Sequence, residues 1–359
     1  MAKKEAEQAL LEEIAASDAP INATLYEQYS RNLRKAVDGA FAEDNSGGLS
    51  DRLRANVSRF AVYKAYHATG EIRKEIGKNG DIDAGRKELH AFNRYQAAEY
   101  NTTVSRCRTA KQFQEFSQPD NVRLFPNIKW LPSRSATPRK QHILFYNRVW
   151  AKNDSFWNIN QPGNLWNCKC DWEETDEPVT DGNPTTPIRH DGLEKNPAIT
   201  GEVFTDEASY IKNCSNARKR KIEHWTGDKL LRKETVQHLK SFQGNTVTIN
   251  KRGEEINVVF DSKTTSHFAN DVAQSAQFLW NELMGRMPQI LSKSKLVAHE
   301  PNTKLDKKPW AVEYYYYEYK TQHYTFYLGV EYNNIVDENR QFYRLYSITT
   351  KLRESVTMY

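Results

Sequence analysis

The sequence predicts an α+β fold in two parts: a mainly helical N-terminal half ending in an irregular Trp- and Cys-containing module, then a small α+β domain with an antiparallel sheet. Three observations predict it. Apolar residues recur at helical spacing through the first third. Tryptophans and prolines crowd residues 118–178. Strand-like alternation takes over in the last third, where most of the 19 tyrosines lie. At 359 residues the chain is too long for one typical domain. The expected division is a first domain over 1–178, a linker and basic helical segment over 179–240, and a second domain over 241–359.

Taken in order, residues 1 to about 117 read as helical. From Thr24 to Phe41, the residues Leu25, Tyr29, Leu33, Val37 and Phe41 repeat every four positions, which lines one helix face with apolar groups. The Asn, Ser and Gly residues of Glu43 to Ser50 predict a loop. A long helix resumes at Leu53 and breaks near Lys78 to Asp83, and another is expected from Gly85 to Val104. Between 118 and 178, Pro119, Pro126, Pro132, Pro138 and Pro162 interrupt regular structure, while Trp130, Trp150, Trp157, Trp166 and Trp172 supply a small aromatic core. Residues 176–200 have linker composition. The basic helical stretch Tyr210 to Phe242 contains Arg218 to Lys221, a run that usually marks a solvated helix face and otherwise a nucleic-acid contact. A hairpin is expected at Thr246 to Asn250 and Ile256 to Phe260 around Lys251 to Glu254, then a helix over Ser266 to Leu283. Strands follow at Val312 to Lys320, Tyr324 to Glu331 and Gln341 to Thr350.

Hydrophobic residues at 38% and charged residues at 27% are enough for real cores, which argues against a disordered chain. The net charge of +5 permits contact with phosphate backbones without demanding it. No run of about 18 apolar residues exists, so no membrane-spanning segment is expected. Met1 to Ala16 is charged and helical rather than an apolar signal core. The four cysteines, Cys107, Cys168, Cys170 and Cys214, are too sparse and irregular for a disulfide scaffold, which suits synthesis in a reducing bacterial cytoplasm.

The most specific local pattern is Arg139-Lys-Gln-His142, then Asn153-Asp-Ser-Phe-Trp157, then Gln161-Pro-Gly-Asn-Leu-Trp-Asn-Cys-Lys-Cys170. It resembles the signature of the phage Mu F-type head morphogenesis family, in which an Arg and a His precede an Asp-x-x-Trp element and a Cys-Arg-Cys element closes the module. Tyr100 to Arg106 and Asn196 to Phe204 extend the resemblance over roughly residues 25–205. Gln161 stands where the family has proline, and Lys169 where it has arginine. The resemblance implies a minor head protein of the virion, acting beside the portal and other head proteins in head assembly and DNA packaging or delivery.

Cys168, Cys170 and His142, with Cys107 as a fourth donor, have the right chemistry for a structural zinc. The reading preferred from sequence is that the thiols are small buried groups packed against tryptophans, so no cofactor is expected. No nucleophile-base pair stands out in this module, which reads as a binding and assembly domain.

The C-terminal order of hairpin, helix and three aromatic-rich strands resembles the barnase, EndoU, colicin and RelE group of toxin-like nucleases often fused to such head proteins. Metal-independent RNA cleavage needs a base, an acid and a cation or donor for the phosphorane. The candidates are His267, Lys263, Arg344, Tyr346 and Thr349. On a regular strand Arg344 and Tyr346 share a face and Thr349 does not, unless a bulge intervenes. The run Tyr314 to Tyr317 presents rings on both faces, so some are expected to be exposed, where they stack RNA or DNA bases or bind protein. The rival readings are a structural virion protein with an inactive C-terminal binding domain, and a polymorphic toxin that uses the F-type half for delivery.

Overall fold

The computed structural model describes residues 2–41, 47–184, 191–271 and 277–359. The chain forms two compact units, 1–222 and 223–359, which divide inside the stretch whose composition reads as linker and basic helix. No described helix is long and apolar enough to cross a membrane.

In the first unit, α1 (Ala2–Ala16), α2 (Ala23–Ala40), α3 (Leu49–Asn79), α4 (Ile82–Asn93) and α5 (Gln96–Phe116) make the helical part. Asn22 caps α2, its side chain accepting from the Leu25 amide at 2.9 Å, and Leu25, Tyr29, Leu33, Val37 and Phe41 are all buried. Gly80, at φ +61°, ends α3, and the Asp81 side chain opens α4. The helix expected over Gly85 to Val104 is two helices, because the chain turns between Asn93 and Gln96. Half of the loop expected at Glu43 to Ser50 lies outside the described residues, and from Leu49 the chain is already helical.

The proline- and tryptophan-rich module holds α6 (Pro119–Leu124), β1 (Asn127–Leu131), α7 (Lys140–Ile143), β2 (Val149–Ala151) and β3 (Asp171–Thr175). The three strands form an antiparallel sheet of order β2-β1-β3 in which Trp130 stands directly opposite Trp172. Their rings join Phe145, Trp150, Phe156, Trp157, Cys168 and Cys170 in one buried cluster.

Residues 191–214 carry linker composition at their start yet belong to this unit's core. Leu193, Val203, Phe204 and Ile211 are buried, and Phe204 stacks on Phe60 of α3 with centroids 4.0 Å apart. Here α8 (Pro197–Thr200) and α9 (Ser209–Lys212) are single turns, and α10 (Asn216–Thr226) carries the basic run. Arg218, Arg220 and Lys221 are exposed, and Lys219 pairs with Asp206 at 3.1 Å.

At Gly192 the backbone sits at φ +95°, and a Cβ there would fall 2.5 Å from the Ala208 Cα. Gly192→Ala therefore combines left-handed strain with overpacking, for a loss of about 2–4 kcal/mol. Urea denaturation of the variant beside the parent chain checks this, and a difference near zero would mean that the 191–208 turn is not held as described.

In the second unit, a π-helical turn (Gly227–Leu231) leads into α11 (Arg232–Ser241). The hairpin β4 (Thr246–Lys251) and β5 (Glu254–Val259) turns on Arg252 and Gly253, both at positive φ. The expected single helix over Ser266 to Leu283 is instead α12 (Ser262–Asp271) and α13 (Gln277–Met284), with 272–276 outside the described residues. After α14 (Met287–Lys293) come β6 (Lys295–Pro301), β7 (Ala311–Lys320), β8 (Thr325–Ile335), β9 (Arg340–Thr349) and β10 (Thr357–Met358).

The sheet runs β10-β6-β7-β8-β9-β5-β4, antiparallel except for the parallel contact of β5 with β9. The expected meander is its centre. Tyr315, Tyr316 and Tyr317 are buried and Tyr314 half-buried, so the tyrosine run is covered on both faces rather than offered to solvent.

Candidate functional site

One face of the second unit's sheet gathers ionisable side chains that sequence separation hides. Tyr314 on β7, Glu331 on β8 and Arg344 on β9 occupy one cross-strand row. Two residues further along β9 the register shifts: Leu345 pairs with Val330 and Ser347 with Gly329, leaving Tyr346 as the extra residue of a bulge. Beyond the bulge Ser347 pairs with Gly329 and Thr349 with Tyr327, which brings Thr349 round to the face of Arg344.

The Arg344 guanidinium is 5% exposed and forks between two carboxylates, Asp261 after β5 and Glu331, which is 1% exposed in its side chain and 3.0 Å away. Lys308, from the loop between β6 and β7, lies 3.6 Å from Glu331 and donates to the Tyr346 hydroxyl. The same ammonium sits 3.9 Å above the Tyr346 ring. His267 reaches in from α12, its ring 4.3 Å from that of Tyr346. Asp261 caps the start of α12 through the amides of Lys263 and Thr264, and the Thr264 hydroxyl bonds the Leu345 carbonyl at 2.6 Å, which fastens the helix to β9. A cavity of about 190 Å³ opens beside the group, lined in part by Lys304, Lys308, Tyr314, Tyr346 and Arg353.

His267 is held below the ordinary imidazole value, chiefly by burial and then by the nearby charge of Lys308, with Arg344 adding to it. At neutral pH the ring is therefore neutral and able to accept a proton.

Of the five residues expected from sequence, the structure brings His267, Tyr346 and Arg344 together. Arg344 is committed to two carboxylates, so it positions the site rather than standing ready for phosphate. Lys263 projects to the side, with its ammonium 4.6 Å over the Trp310 ring. Thr349 does not join the group: its hydroxyl bonds the Lys351 backbone at the end of β9. Lys308, Glu331 and Asp261 are site residues that the sequence reading did not include. A single charged residue between Val330 and Tyr332, in a strand with no other charge, was the available signal for Glu331.

The first unit holds a second group. His142 on α7 and Cys168 and Cys170 before β3 are all buried, with their donor atoms within 4.8 Å of one another. His142 Nδ1 lies 3.3 Å from Cys168 Sγ and 3.5 Å from Cys170 Sγ. The hydrogen bond from Cys170 and the neighbouring imidazole lower the Cys168 thiol, while the same contact with Cys168 and burial raise the Cys170 thiol. Cys107 is not part of this group among the described residues. It is fully buried on α5, its thiol pushed up to about 12 by burial.

Elements of the sequence pattern lie close together around these residues. Arg106, fully buried, donates to the carbonyls of Leu193 at 2.7 Å and Lys195 at 2.6 Å. Asn196 donates to the Trp157 carbonyl at 2.8 Å, and Asp154 caps the turn that carries Trp157. No protein-family model, no curated protein and no solved structure matches the chain.

Proposed function

We propose that the chain is a phage minor head protein whose first unit works beside the portal in head assembly and in packaging or delivery of DNA, and whose second unit is a metal-independent ribonuclease. The first part of the reading rests on the spaced pattern from Arg106 through Cys170 to Asn196. The second rests on one observation: the His267 ring packs against the Tyr346 phenol, which takes a hydrogen bond from Lys308, and that phenol and ammonium line a cavity on a sheet face backed by a buried ion network.

The chemistry follows from what each group can do. His267 takes the proton of an RNA 2′-hydroxyl, and the freed oxygen attacks the adjacent phosphorus. Lys308 offsets charge on the non-bridging oxygens of the phosphorane. Because Lys308 donates to the Tyr346 oxygen, the phenol's own proton remains available for the departing 5′-oxygen. The P–O5′ bond breaks, leaving a 2′,3′-cyclic phosphate and a 5′-hydroxyl end. Glu331 and Asp261, through Arg344, keep β9, α12 and Lys308 in register.

The test is an RNA-cleavage assay on the full chain with and without EDTA. Cleavage that survives EDTA and leaves cyclic-phosphate ends is expected, and His267→Ala should lower the rate about 10²–10⁴-fold. Since the base form of His267 is the active one, kcat/KM should rise with pH and level off at a midpoint below about 6.5. A folded chain that leaves RNA intact would remove the ribonuclease reading and leave a structural role. The head-assembly half is tested by co-expressing the chain with a phage portal protein and looking for copurification, and a folded chain that never copurifies with a portal would remove that half of the reading.

A further inference from the structure

We propose that His142, Cys168 and Cys170 hold a zinc ion, which pins the tryptophan module to its fold, with a water as the fourth ligand. Three observations carry this beyond the packing role that the thiols would otherwise have.

The first is geometry. A single ring nitrogen, His142 Nδ1, approaches two thiols at 3.3 and 3.5 Å. That nitrogen has either one proton or one lone pair, so hydrogen bonding serves both contacts only as a shared, weaker three-centre bond. A cation at the centre accounts for both at once. Tetrahedral zinc with Zn–S of about 2.3 Å and Zn–N of about 2.05 Å places sulfur and nitrogen roughly 3.6 Å apart along a tetrahedron edge. Thiolate and imidazole together favour zinc over oxygen-seeking cations such as magnesium or calcium.

The second is the surroundings. The indole N–H of Trp130, a residue 0% exposed, has no hydrogen-bond partner among the described residues and belongs to the same buried cluster as Cys168 and Cys170. Polar groups in the shell around the ligating atoms are part of what holds a metal in place.

The third is need. The module's strands are five, three and five residues long, and its core is one aromatic cluster. So little regular structure gains much from a cross-link between α7 and the segment entering β3. A groove of about 380 Å³, lined in part by Arg139, Asn167, Cys168, Lys169 and Cys170, supplies the water.

The experiment uses the full chain, reconstituted with zinc alone and then desalted. Elemental analysis should find stoichiometric zinc, and chelation should lower Tm. Cobalt substituted for zinc should give the near-ultraviolet charge-transfer band of sulfur ligation. Cys168→Ser should lose the metal, while Cys107→Ser should keep it. Should Cys168→Ser fail to fold, His142→Cys settles the question, since a three-cysteine site retains zinc. A folded chain with no zinc above background overturns the proposal. Cobalt bound without a sulfur band, or a disulfide joining Cys168 and Cys170 in the reconstituted protein, overturns it equally.

Discussion

Replacing Lys64 with methionine should destabilise the helical unit by about 3–5 kcal/mol. The Lys64 side chain on α3 is 0% exposed and pairs with Glu99 on α5, 5% exposed. Its ammonium also sits 4.6 Å over the Tyr29 ring. Burial alone pushes Lys64 down and Glu99 up, and each relies on the other to oppose that shift. Removing the lysine leaves a carboxylate in a dry interior, where it folds only by taking a proton. In the variant the folded pKa of Glu99 therefore lies further above its unfolded value. Stability linked to such a group is full below the unfolded pKa and is lost as pH rises through the folded one. The variant's deficit should accordingly be small in acid and grow toward neutral pH.

For a unit of this size each kcal/mol is worth roughly 2–4 °C in Tm, so the loss is readily seen. The double variant Lys64→Met, Glu99→Leu should recover most of it, because matched apolar groups often replace a buried pair at no net cost. A single variant that loses under about 1 kcal/mol would mean that the pair behaves as a surface ion pair.

The same contrast between local and distant causes decides what could be read from the sequence. The α2 stripe at Leu25, Tyr29, Leu33 and Val37 is a local signal, and so are the Gly80 stop and the Arg252-Gly253 hairpin turn. Strands β1 to β3 carry no such signal. They are short, and what places them is the pairing of Trp130 with Trp172, 42 positions away in sequence. The expected exposure of the tyrosine run likewise fails for a distant reason. Tyr315 packs against Tyr343 of β9 and under the Lys251 ammonium, Tyr314 packs against Tyr346, and Tyr316 hydrogen-bonds Glu300 of β6.

The candidate site follows the same rule. His267 was legible as a lone histidine near a helix start, and Arg344 and Tyr346 by strand alternation. Lys308 sits among other lysines in an Asp-Lys-Lys-Pro loop and looks like solvated charge. Only the register of β7, β8 and β9 brings it to Glu331.

Arg344→Met should be the most damaging change in the second unit, again by about 3–5 kcal/mol. It strands Glu331, 1% exposed, with Lys308 at 3.6 Å as the remaining cation of the network, and it cuts Asp261 loose from β9. Arg344→Lys should recover part of the loss only, since an ammonium does not present the planar fork that meets both carboxylates. His267→Ala differs in kind. The ring is half-buried at the edge of the group, so its loss should cost little stability and most of the proposed activity.

The pH profile then separates positioning from proton transfer. Arg344 contributes to the depression of His267, so its removal raises the imidazole pKa. In whatever fraction of Arg344→Met remains folded at low temperature, the acid limb of the kcat/KM profile should move to higher pH. Denaturant titration and rate profiles of the three variants measure both effects. An Arg344→Met chain of unchanged stability would show that the buried network does not hold the face together. A limb displaced toward acid would show that Arg344 does not act on His267 through its charge.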